Sequence, residues 1–190
     1  MKCFNATSAI ALAGLLANAA FSATEITPSM QKELTRHAEI VKTWAANPVI
    51  VKAVVEQNAK GPLPGMDNEK WKTVRRSDDL IKGLVDNDAG KFLVKKMEES
   101  GGLYARAFLN AAQGEKAAFS EKTISYLHKG APKFDVPFGT GKTWQGPPEL
   151  DVITEAQHVQ IAVPVLASGK PVGVLIVGIN LSKLEKNTKK

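Results

Sequence analysis

Residues 158–181, HVQIAVPVLASGKPVGVLIVGINL, have the pattern of two β-strands joined by a tight turn. In the first strand, polar or small residues alternate with apolar ones, so that His158, Gln160 and Ala162 share one face. The tripeptide SGK predicts the turn, and PVGVLIVGINL is apolar at almost every position, as is typical of a central strand covered on both faces. The pair therefore predicts the middle of a sheet that carries little reactive chemistry.

A second strand pair is predicted upstream, at residues 103–120 (LYARAFLNAAQGEKAAFS). LYARAFLN alternates in character, which places Tyr104, Arg106 and Phe108 on one face and the intervening apolar residues on the other. AAQGE has the length of a hairpin turn, in which Gly114 is free to adopt a positive φ, and KAAFS is the return strand.

Residues 121–155 connect the two strand pairs and are polar and rich in glycine and proline. A connection of this length without structure of its own is uncommon in a compact domain, so we expect a functional flap that closes over a ligand. DVPF (135–138) and KTWQG (142–146) are the segments of the flap most typical of short strands.

The chain before residue 103 predicts helices. Thr27-Pro28 is a favourable helix start, and apolar residues then recur at spacings of three and four. Asn47-Pro48 interrupts this pattern, so we expect the helix to resume with a kink. We interpret the apolar seam as core, with homodimerisation through this helix left open. The seam consists of Met30, Leu34, His37, Val41 and Trp44.

These patterns predict an α+β fold, in which a long N-terminal helix and further helices pack on a central antiparallel sheet of about five strands. The helical part is expected at residues 23–102 and the sheet at residues 103–184, with the flap at 121–155 between its strand pairs. Leu184 and the lysines after it predict a fraying basic tail at 185–190.

The first 22 residues have the features of a cleavable signal peptide. Lys2 precedes an apolar run at residues 10–16, and the small residues around Ser22 predict cleavage after that residue. The run is too short to span a bilayer core of about 30 Å. The single cysteine, Cys3, lies in this segment, so the mature chain would have no disulfide and no cysteine-bound metal or haem. Together these features predict a periplasmic protein.

The formal net charge is +6, and several lysines lie near the C-terminus. This excess either attracts an anionic ligand or surface, or forms a solvated tail that aids solubility. Nucleic acid is not an expected partner of an exported chain with 6% aromatic residues. The sequence has no G-x-S-x-G, H-E-x-x-H or complete phosphate-loop motif, and its histidines are not paired at metal-ligand spacing. We therefore expect no enzyme, no cofactor and no metal.

Arg106 is the clearest candidate for binding a ligand. Its guanidinium lies between Tyr104 and Phe108 on one strand face, where it would offer a planar fork to a carboxylate. The alternative is an arginine on the solvated face of an edge strand. We include Tyr104 in the predicted ligand site because it shares this face.

Candidates in the flap are Tyr126, Trp144 and Asp151, which would supply aromatic walls and one acceptor for an amine or hydroxyl group. The alternative is that the aromatic residues pack on the sheet and that Asp151 begins a strand or turn. His128 and Gln160 are weaker candidates for the same site.

Three stretches together resemble the extracytoplasmic Cache sensor domains, also called PDC sensors, of bacterial chemoreceptors and histidine kinases. The stretches are WAANPVIVKAV (44–54), LYARAFLNAAQGEKAAFS (103–120) and VQIAVPVLASGKPVGVLIVGINLSKL (159–184). The resemblance implies a single PAS-like module with a small-molecule pocket between sheet and flap. Amino-acid-binding members use a longer Tyr/Arg/Trp/Asp set that this chain does not reproduce in register, since only Trp144 and Asp151 fall in the corresponding flap.

The same resemblance implies a soluble periplasmic sensor that binds an amino acid, carboxylate or amine, most simply an anionic or zwitterionic metabolite. Such a sensor would signal through a partner, such as a membrane-bound receptor or kinase. The chain stops soon after its last strand, so we expect a free-standing version of the domain. The alternative hypothesis is a non-enzymatic structural or interaction protein of the envelope whose pocket is filled by side chains.

Overall fold

The computed structural model describes residues 25–150 and 156–188, so the predicted signal peptide and Asp151 lie outside the described residues. The described chain has the α+β architecture predicted from the sequence. Its helices are α1 (Pro28–Ala45), α2 (Pro48–Lys60), α3 (Asn68–Thr73), α4 (Asp79–Asp86), α5 (Asp88–Glu99), α6 (Pro132–Thr140) and α7 (Leu181–Thr188). Its strands are β1 (Tyr104–Ala111), β2 (Lys116–Phe119), β3 (Trp144–Leu150), β4 (Gln157–Ala167) and β5 (Lys170–Asn180).

The five strands form one antiparallel sheet in the order β2-β1-β5-β4-β3. The apolar strand β5 is central, as its composition predicts, and its residues 173–179 are buried on both faces of the sheet. The turn between β4 and β5 uses Ser168 and Gly169, both at positive φ. Both predicted hairpins, β1–β2 and β4–β5, are therefore present. The fifth strand of the sheet, β3, comes from the flap.

The two faces of the sheet carry separate apolar cores. On one face, called the proximal face here, α1, α2 and α7 lie over β4, whose alternate residues Val159, Ile161 and Val163 point to them, and α5 lies over β1 and β2. On the other, the distal face, side chains from α3, α4 and α6 cover Phe108 and Ile176. No helix among residues 25–150 and 156–188 combines the length and the apolar character needed to cross a membrane.

The N-terminal helices begin where the sequence predicts. The Thr27 hydroxyl accepts from the backbone N–H of Met30 at 3.3 Å, and the Asn47 side chain accepts from the N–H of Val49 at 3.0 Å. Asn47 caps a second helix, so α1 and α2 are two helices and not one helix with a kink. Every residue of the predicted seam is buried against the proximal face, which makes the seam core.

The prediction of a strand at DVPF is wrong, because these residues lie inside α6. Pro132 occupies the first turn of α6, where a missing N–H costs nothing. Phe134 and Phe138, four residues apart, stack at 5.2 Å on one face of the helix. The prediction of a strand at KTWQG is confirmed for its last three residues, since β3 begins at Trp144.

The prediction of a fraying tail is also wrong for residues 184–188. These residues belong to α7, and Leu181 and Leu184 are fully buried in the proximal core. Their spacing of three places both side chains on one face of the helix, where they pack beside α1. The basic residues of α7 occupy the opposite, solvent-exposed face.

Candidate functional site

Polar side chains gather at one end of the distal face. Across the three central strands, Arg106 of β1, Gly178 of β5 and Gln160 of β4 lie opposite one another in a single row. The next row, Phe108, Ile176 and Ala162, is apolar and belongs to the distal core. The polar row therefore lies at the border of the distal core, where a buried site can begin.

Lys116 reaches into this region from β2. The residue is 1% exposed, and its ammonium nitrogen lies 3.6 Å from the centroid of the Phe108 ring. The same nitrogen is 3.4 Å from Oδ1 of Asn110 and 3.3 Å from Nδ1 of His128. No carboxylate in the described part of the chain lies within ion-pair distance of it.

The surroundings of Lys116 oppose its positive charge. Burial lowers the pKa of its ammonium well below the usual value, and the nearby cations Lys133 and Arg106 lower it further. The Phe108 ring favours the charged form, but such a cation–π contact contributes only about 0.5 to 2 kcal/mol. An ammonium buried without a carboxylate costs several kcal/mol, so the neutral amine is the form that this environment favours.

Lys133, from the first turn of α6, is the second cation of the cluster. Its ammonium donates to Oε1 of Gln160 at 3.0 Å. Burial lowers the pKa of Lys133, Arg106 lowers it further, and Glu149 acts in the opposite sense. Glu149 is solvent-exposed, so water screens its attraction for the partly buried lysine.

Arg106 is the third cation, and its side chain is 16% exposed. Its Nε lies 4.0 Å from Oε2 of Glu121, but that carboxylate is held more closely by Arg76, at 2.6 Å. Arg106, Lys116 and Lys133 thus form a cluster whose described carboxylates are exposed or shared. We call these three residues the cationic cluster.

His128 lies beside the cationic cluster as a neutral group. Burial, with Lys116 and Lys133 close by, lowers the pKa of His128 to about 2. Its Nδ1 faces two donors, the Lys116 amine at 3.3 Å and Nδ2 of Asn110 at 3.3 Å, so Nδ1 is the acceptor and the proton lies on Nε2. Nδ2 of Asn110 also donates to the Gly114 carbonyl, which fixes the amide.

Gly178 lies between Arg106 and Gln160 in the polar row, against the His158 ring. A Cβ placed on Gly178 would meet Cδ2 of His158 at 3.4 Å and Cγ of His158 at 3.9 Å, which are ordinary van der Waals contacts. The imidazole of His158 therefore covers this part of the row, next to the cationic cluster.

The structure separates Tyr104 from Arg106, which corrects the prediction that they share a face. A β-bulge between these two residues turns the Tyr104 side chain to the proximal face. There its hydroxyl lies 2.7 Å from Nδ1 of His37, its ring packs edge-on against Trp44 at 4.7 Å, and burial raises its pKa to about 12. Tyr104 is a packing residue between β1 and α1.

The two flap aromatics pack on the distal core. Tyr126 is 1% exposed, its hydroxyl accepts from the N–H of Leu63 at 2.9 Å, and its ring lies 5.2 Å from that of Trp71. Trp144 is partly buried at the start of β3 and contacts the same core. Of the predicted site residues that the structure describes, only Arg106 belongs to the cationic cluster. The weaker candidates His128 and Gln160 contact its lysines, His128 at Lys116 and Gln160 at Lys133.

Lys116 and Lys133 were not predicted from the sequence. A signal for Lys116 does exist, because the tight turn at Gly114 places it opposite Asn110, and Asn110 shares a face with Phe108 and Arg106. Extending the strand alternation across the hairpin would have pointed Lys116 to the distal face. Lys133 offers no such signal, because its position depends on how α6 packs on the sheet.

Two surface clefts lie away from the cationic cluster. One, of about 510 Å³, lies between α2, α4 and α5, and the other, of about 590 Å³, borders Lys42, Lys142 and Leu166. Every charged residue that lines either cleft is solvent-exposed. Neither cleft therefore holds a charge whose burial a ligand would relieve.

No known protein-family model and no curated protein sequence matches the chain. Among solved structures it is similar to the sensor domain of the histidine kinase DctB from V. cholerae, with a TM-score of 0.43 and 17% identity over 84% of this chain and 60% of that one. It is also similar to the sensory domain of a Campylobacter jejuni chemoreceptor with isoleucine bound (TM-score 0.44, 16% identity, 87% and 69% covered). A third is the ligand-binding domain of the Pseudomonas fluorescens chemoreceptor CtaA in complex with L-serine, with a TM-score of 0.43 and 17% identity over 84% of this chain and 56% of that one.

All three are sensor domains. The likeness concerns the fold and is loose at these scores, and the chain spans about 60% of the length of the DctB domain.

Proposed function

We propose that this chain is a ligand-binding sensor domain whose ligand is a small organic anion. The observation that carries the proposal is the position of the fully buried Lys116 and the partly buried Lys133 beside Arg106, with no carboxylate of the described residues within ion-pair distance of either lysine. Positive charge that is withdrawn from water costs free energy unless negative charge lies near it, and the neutral amine of Lys116 is one response to that cost. A carboxylate bound beside Lys133 would supply negative charge.

The charge of the site selects among the ligands implied by the sequence. A cationic amine would meet Arg106 and Lys133 with like charge, which is unfavourable. A monocarboxylate would be held by charge-assisted hydrogen bonds from the same groups. The amide of Gln160, already tied to Lys133 at 3.0 Å, offers a further polar group for the rest of the ligand. The proposed ligand class is therefore short carboxylates, with zwitterions second.

Signalling through a partner is the second part of the proposal. β1 carries Arg106 on the distal face and Tyr104 on the proximal face, where the Tyr104 hydroxyl lies 2.7 Å from Nδ1 of His37 in α1. A ligand that shifts Arg106 would thereby change how β1 holds α1. The partner would be a membrane-bound receptor or kinase in the periplasm, and a homodimer would use the exposed face of α1, because its seam is core.

The competing function is a structural or interaction protein with a filled pocket. It is favoured by the packing of Phe108, Phe134 and Ile176, which already fill the apolar half of the distal face.

The two functions differ in their response to anions. Calorimetric titration of the purified protein with acetate, L-lactate, pyruvate, neutral amino acids and simple amines tests both. Binding confined to carboxylates supports the sensor, and a flat response to all of them supports the filled pocket.

Lys133→Gln should weaken carboxylate binding about tenfold, as expected for the loss of one charge-assisted hydrogen bond. Lys129→Gln is the matched control, since Lys129 is an exposed lysine of the same flap. Both variants should unfold at the same denaturant concentration as the parent within error. If both variants weakened carboxylate binding equally, only the net positive charge of the protein would matter. Lys133 would then not be a residue of the site.

Gly178→Val should lower the affinity for carboxylates about tenfold or more, while the fold is retained. Valine is favoured in strands, and the first carbon of its side chain meets only an ordinary contact at 3.4 Å. Its methyl groups would displace the His158 ring, which lies beside the cationic cluster where the ligand is proposed to bind. Gly178→Ala is the graded control, and its affinity should fall between the two. Unchanged affinity in Gly178→Val, with circular dichroism like the parent, would place the ligand elsewhere.

A further inference from the structure

A smaller surface cleft lies between the end of α3 and the first residues of the flap. Its volume is about 310 Å³, and it is lined by Lys72, Val74, Arg76, Lys122, Thr123 and Ile124. Three of these six residues carry positive charge, two have apolar side chains, and none is acidic. We call the six residues the α3 patch. The patch combines positive charge with apolar surface, and it shares no residue with the cationic cluster.

Ile124 is the most exposed large apolar residue that the structure describes, since 66% of its surface is open to solvent. The loop that carries it is fixed: the Thr123 carbonyl accepts from the indole N–H of Trp71 at 2.7 Å, and the Thr123 hydroxyl donates to the Ser125 carbonyl at 2.8 Å. Ile124 is therefore presented to solvent from a firm support. A single exposed apolar residue is ordinary, so its meaning depends on the charges around it.

Lys122 is a cation of the patch without a carboxylate partner. No Asp or Glu among residues 25–150 and 156–188 lies within ion-pair distance of it, and its ammonium lies 5.0 Å from the centroid of the Trp71 ring. Partial burial lowers the pKa of Lys122, and the nearby Arg76 lowers it further, because both oppose its charge. An anion beside Lys122 and Arg76 would relieve that repulsion.

The other two cations of the patch are paired, but their pairs are exposed to water. Arg76 lies 2.6 Å from Glu121 and Lys72 lies 2.7 Å from Glu69, and the two basic side chains are 57% and 58% exposed. Exposed ion pairs contribute little to stability, so both cations can turn to another anion at low cost. Even when both carboxylates are counted against the three cations, the patch keeps an excess of one positive charge.

We propose that the α3 patch docks on an anionic lipid surface, with Ile124 inserted between the headgroups and the three cations beside the lipid phosphates. In a bilayer, phosphates and acyl chains meet in a boundary layer that apolar side chains enter by about 5 to 10 Å. A free phosphate ion would pair with the cations and leave Ile124 in water. Docking through one apolar side chain and a few cations is weak and reversible. This proposal does not rest on the carboxylate site proposed above.

Sedimentation of the purified protein with lipid vesicles tests the proposal. We expect binding to vesicles that contain phosphatidylglycerol, a decrease of that binding as salt is raised, and far weaker binding to phosphatidylcholine alone. Ile124→Ser removes the inserted side chain and should lower the partition coefficient about tenfold. Lys122→Gln removes one cation near the surface and should lower it about fivefold. Lys122→Arg keeps the charge and should bind like the parent.

Two matched controls change the same kinds of residue outside the patch. Leu166→Ser alters an apolar residue that is 46% exposed and lines a different cleft, and Lys129→Gln alters an exposed lysine of the flap. Both should sediment with the vesicles like the parent. Circular dichroism should be the same for the parent, the controls and Ile124→Ser, because each replaced side chain is exposed.

Four results would overturn the proposal. If the parent does not sediment with phosphatidylglycerol vesicles at low salt, the patch does not dock on lipid, and an acidic protein is then the occupant to test. Binding that Ile124→Ser leaves unchanged would show attraction by charge alone. An equal decrease in Lys129→Gln and Lys122→Gln would show that the net charge of the whole protein acts. Calorimetric binding of inorganic phosphate, lost in Lys122→Gln and without vesicle binding, would make the patch a site for a free anion.

Discussion

Replacing Trp71 by alanine should lower the free energy of unfolding by about 3 to 5 kcal/mol. Trp71 is fully buried in α3, and its indole N–H donates to the Thr123 carbonyl at 2.7 Å. Its ring also contacts Phe119 of β2 and Tyr126 of the flap. The substitution therefore removes a large buried surface and leaves the Thr123 carbonyl without its donor. Urea unfolding followed by circular dichroism measures the change.

Two further variants separate packing from hydrogen bonding. Trp71→Phe keeps an aromatic ring but loses the N–H. It should therefore lower the free energy of unfolding by less than Trp71→Ala does, and by more than a substitution of an exposed residue does. Ile124→Ala, one residue from Thr123 and 66% exposed, should stay within about 0.5 kcal/mol of the parent. A small effect of Trp71→Ala would show that the flap is not anchored through α3, and the distal site would then lack a fixed wall.

The sheet could be predicted from the sequence because alternation along a strand is a local pattern. In β4, Val159, Ile161 and Val163 face the proximal core as predicted, and Ala162 faces the distal one. The positions of both hairpins follow from Gly114 and Gly169, which supply the positive φ that their tight turns require. The capped helix starts at Thr27 and Asn47 are equally local, and they too were predicted.

The errors arise where a single contact outweighs the local pattern. The bulge after Tyr104 reverses the face of that residue, and it accompanies a hydrogen bond to His37, 67 positions earlier in the chain. Strand alternation cannot anticipate such a bulge. Leu184 was placed in a tail because lysines follow it, but burial beside α1 makes the segment helical.

The candidate site was predictable only in part, for a related reason. Arg106 stands out because a charged residue interrupts an apolar strand. Lys116 and Lys133 come from different elements, and their role depends on burial, which composition does not reveal. Lysine at the start of a short strand is ordinary, whereas a lysine that is 1% exposed, with no carboxylate of residues 25–150 and 156–188 within ion-pair distance, is not. The cluster exists only after β2 and α6 have packed on the same face.

Acidification should destabilise the protein through His128. Its pKa is about 2 in the folded state and near 6.5 in the unfolded chain, so the unfolded state binds the proton more readily between these values. The stability contributed by the neutral ring is complete above about pH 6.5 and is lost as the pH falls toward the folded value. One such group lowers the free energy of unfolding by about 1.4 kcal/mol per pH unit in this range, which gives about 3 kcal/mol between about pH 7 and pH 4.

A variant isolates this contribution from other titrating groups. The pKa of His37 is also lowered, first by burial and then by Arg36, and the lowered pKa of Glu33 adds to acid sensitivity at lower pH. His128→Gln removes the ring and keeps an acceptor for Lys116, so its stability should fall less steeply with acid than that of the parent. Parallel curves for the two proteins would show that His128 titrates normally and is not enclosed by the cationic cluster.

The same titration connects stability to the ligand. Burial is the main cause of the low pKa of His128, and the neighbouring Lys116 and Lys133 lower that pKa further. A carboxylate bound beside these lysines would offset their contribution, and protonation of His128 would then cost less. Saturating L-lactate should stabilise both proteins by mass action, and it should also flatten the loss of stability in acid for the parent but not for His128→Gln. An equal change of slope in both proteins would mean that the anion acts elsewhere, because only a ligand next to His128 can change how that ring binds a proton.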